Sequence, residues 1–364
     1  MGSMARFDTC EERLQAVLEL HYQQSHMIYT FQIHVEAPDS GIFWQGAVGH
    51  VDRNTTSDVV TVHHPLRIAS NTKTFVATAI LRLWEEGHLD LDISVEPYLS
   101  AQHCDMLRAG GYELDQITTR QLLAHTSSLF DYADSPDFAE AIAANSQKHW
   151  TRTEQIQIAM TAGASYGAPG EVFRYSDTGY ILLGEMIERI YGKSLGVALR
   201  QLLKYDELNL KATFLEILEP EPSDVLDRIH QYEGEVDVYD WHGSFDIYGG
   251  GGLISTVGDM ARFMRGLFEG RVFNYANTLT EMLTPVPAKR GGPNYGIWQQ
   301  VPGTYCLGID GGGQGEVYSH HGHFGTSMAY VPVLEMAVAL SIGGSRTGDV
   351  DLREVILADI LTLF

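Results

Sequence analysis

The chain has 364 residues, 44% of them apolar and 20% charged. These are the proportions of an ordinary globular protein and exclude disorder, collagen-like repeats and low complexity. Its 24 Lys and Arg against 47 Asp and Glu leave a net charge of −23, a field that repels phosphate backbones and anionic lipid, so neither a nucleic-acid nor a membrane partner is expected.

A chain of this length buries a sizeable core as one large domain or two. Cys10, Cys104 and Cys306 are far apart and odd in number, so they make neither a disulfide framework nor a metal knuckle and read as idle thiols. No apolar run reaches the length that spans a bilayer. Met1-Gly2-Ser3 ahead of Met4 reads as a cloning remnant. After Met4, the charged Glu11, Glu12 and Arg13 interrupt any secretory core. That gives a cytoplasmic expectation, although a leader trimmed away would look the same.

In chain order, Tyr29–Val35 and Ile42–Val48 read as strands joined by the turn residues Pro38-Asp39-Ser40-Gly41. The spacing of Phe75, Val76, Ala79, Ile80, Leu83 and Trp84 predicts a helix from about Asn71 to Glu86, closed by Gly87 and apolar on most of its circumference, hence central. The middle is mainly helical, with helices expected at Thr119–His125, Tyr180–Tyr191 and Asp259–Phe268; Gly192 and Gly270 stop the last two. Val317–His321, Thr326–Val333 and Met336–Ile342 read as strands, and Val350–Leu363 as a last amphipathic helix. The simplest architecture is a sheet from both chain ends with flanking helices and a mainly helical insertion, the site lying where they meet.

The sharpest chemical feature is Ser70-Asn71-Thr72-Lys73 at the start of the central helix. Unpaired amides and the dipole favour developing negative charge there, and Lys73 follows within one turn on the same face. A lysine on an apolar helix is costly unless paired or functional. Buried, its pKa would fall and it would relay the serine proton. S-x-x-K alone equally fits a serine cap beside a solvated lysine. Two further segments weigh against that: Glu171–Tyr180, a loop running into a helix, and Ser319-His320-His321-Gly322-His323-Phe324-Gly325 on a late strand.

With these segments the chain resembles the serine β-lactamase and penicillin-binding-protein superfamily. It looks most like the branch of cephalosporinase-type lactamases, D-specific peptidases and amidases, and related esterases. The motifs of that family run S-x-x-K, Y-x-N, then K-T-G or H-x-G. Arg67-Ile68-Ala69, Gln121–Leu129, Thr178–Gly184 and Gly251–Thr256 also look like family segments, so the likeness spans about Leu66 to Ile342. It implies an α/β (α+β) β-lactamase-like fold, with residues 5–95 and 285–364 forming the sheet domain and 96–284 the helical one.

The resemblance further implies Ser70 as nucleophile, Lys73 as its proton-relay partner and Tyr175 as general acid or base, its pKa lowered by the lysine charge. The backbone amides of Ser70 and His323 would form the oxyanion hole, with Asp177, His320 and Gly322 lining the substrate site. The chain departs from the family pattern twice. Asp177 stands where Y-x-N has Asn; it reads either as the helix N-cap or as a cleft carboxylate that holds Lys73 protonated and could pair with a substrate ammonium. His320 stands where K-T-G has Lys and would be cationic only below its pKa, about 6.5 unperturbed, which favours the peptidase and amidase members over dedicated lactamases.

No metal and no cofactor are expected. Alternate strand residues face opposite ways, so His320 and His321 do not readily share an ion, and no HExxH or paired carboxylate completes a site. The runs Gly249–Gly252 and Gly311–Gly313 lack phosphate-loop context and read as tight turns, and His63-His64-Pro65 and Asp90-Leu91-Asp92 as surface turns. The expected activity is acyl-enzyme hydrolysis of a small-molecule or short-peptide amide or ester, with D-aminoacyl peptides or amides favoured (D-aminopeptidase, DD-peptidase or D-amino acid amidase). An esterase or weak β-lactamase of the same fold is the alternative. A non-catalytic penicillin-binding sensor of peptidoglycan fragments is the alternative of another class, and it would need none of Ser70, Lys73 and Tyr175.

Overall fold

A computed structural model describes residues 9–24, 28–286, 289–290, 304–311, 317–343 and 351–364. The readings at Met1–Met4, Gly312, Gly313 and Val350 lie outside these residues. Helix α1 (Cys10–Gln24) precedes strands β1 (Thr30–Ala37) and β2 (Ile42–Gly49). A tight turn joins the strands: Pro38–Ser40 forms one turn of 3-10 helix and Gly41 takes a left-handed conformation, as Pro and Gly at these places allow. The late strands are β3 (Thr304–Tyr305), β4 (Asp310–Gly311), β5 (Tyr318–Gly322), β6 (Thr326–Val331) and β7 (Met336–Gly343). All seven pair in the order β3-β4-β5-β6-β7-β1-β2, antiparallel throughout. The sheet is therefore built from both chain ends.

Helix α2 (Thr72–Glu85) is buried from Thr72 to Leu83, in line with its nearly all-round apolar pattern. Phe75 stacks on Phe263 with ring centroids 3.7 Å apart, locking α2 to helix α4 (Val257–Phe268). Between them in sequence lies α3 (Asp177–Tyr191), closed by a left-handed Gly192. The final helix α5 covers Leu352–Leu361. Three expected boundaries move. The stretch Thr119–His125 is helical only to Leu123, because His125 takes a positive φ of 55°. Pro332–Leu334 leaves β6 as a 3-10 turn, since a proline ring donates no ladder hydrogen bond. Helix α3 begins three residues before Tyr180, at Asp177.

Strand β1 alternates, yet both faces are buried. Phe31, Ile33 and Val35 pack with Leu14 and Leu18 of α1 and Ile356 and Ile360 of α5. On the other face Gln32 donates to the carbonyls of Thr61 (2.8 Å) and His64 (3.0 Å), while Glu36 takes His34 Nε2 at 2.8 Å and Arg265 of α4 at 2.7 Å. Buried polar groups are tolerated where such partners satisfy them.

Arg353 at the start of α5 is 2% exposed and joins the chain terminus to the end of β5. It pairs with Asp351 and donates to the carbonyls of Gly322 (2.6 Å) and Thr326 (3.0 Å). Arg353→Met should lower unfolding free energy by about 3 kcal/mol in urea titrations, because it strands a carboxylate and two carbonyls. A loss below about 1 kcal/mol would show this buried anchor to be dispensable.

Candidate active site

Ser70 sits in a single 3-10 turn, Ala69–Asn71, that leads directly into α2. Ala69 has φ +46°, a strained value for a residue with a Cβ. Three contacts hold the turn: Asn71 Nδ2 donates to Ile68 O (3.0 Å) and Thr326 Oγ1 (2.7 Å), and Thr326 Oγ1 donates to Ile68 O (3.1 Å). Lys73 is fully buried. Its Nζ donates to Ser70 Oγ at 3.1 Å and to Gly250 O at 2.6 Å, and it is ion-paired with Asp177 Oδ1. Two hydrogen bonds and one ion pair thus hold the buried amine.

Tyr175 is hydrogen-bonded to Ser70, and Lys73 Nζ lies 4.8 Å from its ring centre. Serine, lysine and tyrosine therefore converge, but the expected lowering of the phenol pKa is corrected. Burial first, and the Asp177 carboxylate second, push Tyr175 well above its ordinary value, so at rest it is a neutral phenol. It is held by His125, to which the sequence reading gave no role. The His125 carbonyl accepts from Arg174 N–H (2.8 Å) and its Nδ1 from Ser176 N–H (3.1 Å), while its ring stacks on Tyr175 at 4.2 Å. Burial pushes His125 well below the usual histidine range, so it is neutral, with its hydrogen on Nε2. Its signal in sequence was only the Leu123-Ala124-His125-Thr126 stretch.

Three carboxyl groups, Asp131, Asp177 and Asp246, form a cluster around the head of α3. Asp177 is the first residue of α3 and makes no capping bond with its side chain. The cap comes from another loop: Asp131 accepts from the Asp177 and Ala133 amides, and burial, then Asp177, raises its pKa well above the usual carboxylate value. The Asp177 side chain is turned inward to Lys73. The third, Asp246, was missed because it lies in an irregular loop without a motif. Burial first, then Asp177, raises it to about 7.

Strand β5 closes the other side. A Cβ on Gly322 would lie 2.1 Å from Thr326 Oγ1 and 2.3 Å from Ile68 O, so only glycine lets the strand end touch the Ser70 turn. His323 follows in the turn, with its ring turned out to Glu233 at 2.5 Å. His320 and His321 do point apart: His321 Nε2 pairs with Glu354 at 2.5 Å, whereas the ring of His320 lies 6.5 Å from that of Tyr175. The pH-switched cation expected at His320 is corrected. Burial first, and the Lys73 charge second, lower it to about 3, so it is neutral at neutral pH. Its Nδ1 lies 3.0 Å from the His321 carbonyl; the carbonyl only accepts, so Nε2 carries the lone pair. Among the described residues no group of three or more metal-ligating side chains converges, and no helix is long and apolar enough to cross a membrane. Cys10 and Cys104 are free thiols.

This joining of a two-ended antiparallel sheet, a helical insertion and a buried serine–lysine pair is that of a serine hydrolase with the β-lactamase fold. The chain belongs to the family described as Beta-lactamase, which matches residues 37–360. Protein flp of Staphylococcus aureus (strain MW2) is 30% identical over 186 residues, 50% of this chain and 34% of that protein, so the match spans about a third of that relative's length. Two solved structures are similar nearly end to end. The D-stereospecific amidohydrolase from Streptomyces sp. has a TM-score of 0.74 at 25% identity, covering 96% of this chain and 98% of that one. The D-amino acid amidase from Ochrobactrum anthropi SV3, complexed with L-phenylalanine amide, has a TM-score of 0.77 at 23% identity, covering 97% and 98%.

The buried neutral His320 makes stability depend on pH. In the native state it stays neutral down to about 3, whereas in the unfolded chain it protonates below about 6.5. Its contribution is therefore complete above 6.5 and is lost progressively as pH falls toward 3. Between about pH 6 and 4 the protein should lose about 1.4 kcal/mol per pH unit more than His320→Gln does. Urea unfolding across that range measures the difference, and parallel slopes would refute it.

Proposed function

We propose that the protein is a serine amidohydrolase that releases the amine from D-aminoacyl amides or short D-aminoacyl peptides through an acyl-enzyme on Ser70. The observation that carries this is the contact of Ser70 Oγ with both Lys73 Nζ, at 3.1 Å, and the Tyr175 hydroxyl. Ser70 Oγ attacks the substrate carbonyl carbon, and its proton leaves through the Tyr175–Lys73 pair to the departing nitrogen as the C–N bond breaks. The backbone amides of Ser70 and His323, brought together where Gly322 meets the Ser70 turn, are assigned to the developing oxyanion. Water then cleaves the acyl ester by the reverse proton route.

The choice of substrate rests on charge. His320 is neutral, so its position supplies no cation for a substrate carboxylate, whereas Asp246, which burial raises to about 7, is a carboxyl group that a neighbouring ammonium would hold ionised. The likeness to the D-stereospecific amidohydrolase, at 25% identity over 96% of this chain, supports the same choice. D- and L-aminoacyl p-nitroanilides, p-nitrophenyl acetate and nitrocefin assayed side by side test it. Turnover of the D-aminoacyl substrate should exceed that of its L isomer and of nitrocefin. The reading fails if only the simple ester is hydrolysed.

Ser70→Ala should reduce turnover by at least about a thousand-fold and abolish the acyl adduct seen by mass spectrometry, while the protein stays folded. Lys73→Ala should be as inactive, since nucleophile and relay act as a unit. An adduct on the Ser70→Ala protein would displace the nucleophile assignment. Dialysis against EDTA should leave activity unchanged, and recovery of lost activity with zinc would refute the metal-free reading.

A further inference from the structure

We propose that Asp246 is the residue that receives the free α-ammonium group of the substrate, an inference that rests on the D-aminoacyl reading above. Asp131 and Asp177, the other carboxyl groups of the cluster, are already engaged. Asp131 accepts two backbone amides, and Asp177 is the partner of Lys73. Asp246 differs. Among the described residues its carboxylate forms no ion pair and accepts no hydrogen bond, and it is half-buried rather than sealed.

The position of Asp246 is fixed by the backbone. Its N–H donates to Gly243 O (3.1 Å) and its carbonyl accepts from Gly251 N–H (3.0 Å). The carboxylate lies across the bare face of the glycine loop: a Cβ on Gly251 would lie 1.8 Å from Asp246 Oδ2. A Cβ on Gly250 would lie 3.0 Å from Asp177 Oδ1 and 3.2 Å from Asp246 Oδ1. Gly250 is also the residue whose carbonyl holds Lys73, so Asp246 stands at the edge of the catalytic cluster. The preceding Phe245 packs with Trp241 against Ala69, Val238 and Phe324, which sets this loop beside the serine and lines it with carbon.

The charged groups that face Asp246 are Asp177 of α3, Lys73 of α2, His323 after β5, and Arg67. Each nearby cationic group already has its partners. Lys73 has two hydrogen-bond acceptors and the Asp177 counterion. Arg67 is paired with Glu216 and donates to the carbonyls of Val238 and Trp241. His323 is taken by Glu233. A half-buried carboxylate without a counterion is unfavourable, and a primary ammonium group on the ligand supplies the missing charge. Beside the aromatic wall, the fitting ligand is an amino acid amide that joins an ammonium group to an apolar side chain.

The test is binding to the Ser70→Ala protein, which removes turnover from the readout. Affinities for D-phenylalanine amide and its N-acetyl derivative are measured by calorimetry, with and without Asp246→Asn or Asp177→Asn. Asp246→Asn should reduce the preference for the free amine about ten- to a hundred-fold. The N-acetyl ligand serves as the internal control for an intact site. An unchanged preference, no preference in the Ser70→Ala protein itself, or a loss seen only with Asp177→Asn overturns the proposal. Turnover by the protein with Ser70 intact is scored separately. If it cleaves no D-aminoacyl amide but Asp246→Asn erases the preference, the amidase reading falls and the ammonium site stands.

Discussion

The buried ammonium group of Lys73 is the constraint around which the rest is arranged. A fully buried charge is tolerable only when it is compensated, and its two hydrogen-bond acceptors and its counterion come from separate parts of the chain: Ser70 before α2, the Gly250 carbonyl, and Asp177 at the head of α3. Satisfying one side chain thus aligns the central helix, the glycine loop and the helical insertion. The arrangement also accounts for neighbouring oddities. Asp131 caps α3 from outside, leaving the Asp177 side chain for Lys73. Gly250 carries no side chain because carboxylate oxygens from two directions occupy that space.

Around this one cation the titratable groups are set neutral or negative. His125 and His320 are driven neutral by burial, and the Lys73 charge adds to the same effect. Tyr175 is kept as a phenol by burial and by Asp177. The two imidazoles present opposite hydrogen-bonding roles, since Nδ1 accepts in His125 and donates in His320. A family member with Lys at the His320 position carries a fixed positive charge there. This chain carries an uncharged acceptor, so its pocket holds its charge on carboxylates and on a lysine already spoken for. The net charge of −23 extends the same sign to long range.

Much of this was legible in the sequence wherever the signal was local. The apolar spacing of Phe75 to Trp84 marked α2, and Ser70 and Lys73 fall within one turn of it. Tyr175, Asp177, His320 and Gly322 were visible through short motifs. What was not legible depends on contacts remote in sequence. Asp131 and His125 act on α3 and Tyr175 across 40 residues or more, and nothing local marks Asp246 as unpaired. The partners of the polar face of β1, Arg265 and the loop at Thr61–His64, likewise come from elsewhere in the chain. The same distance effect explains the two pKa expectations that changed sign or size. Burial first raises the Tyr175 pKa, and the Asp177 carboxylate adds to it against the lowering expected from the lysine; burial first, then the Lys73 charge, lowers His320.

The raised Tyr175 pKa bears on how Ser70 loses its proton in the proposed mechanism. At rest Lys73 Nζ is held by Ser70, Gly250 and Asp177, and Tyr175 is a neutral phenol. Neither is a free base waiting for the serine. Removal of the proton is therefore coupled to attack: as Oγ bonds to the acyl carbon its hydrogen becomes acidic and passes to the Tyr175 oxygen, while the phenol hydrogen moves on toward the leaving nitrogen. Asp177 stabilises the ammonium before and after the transfer, so it opposes any step that leaves Lys73 neutral. The cost falls on a tyrosinate intermediate and is smallest when the proton continues directly to a basic leaving group. An amine takes that proton readily, whereas an alkoxide from a simple ester gains less from it. The proton route therefore favours the proposed amide substrate over a simple ester.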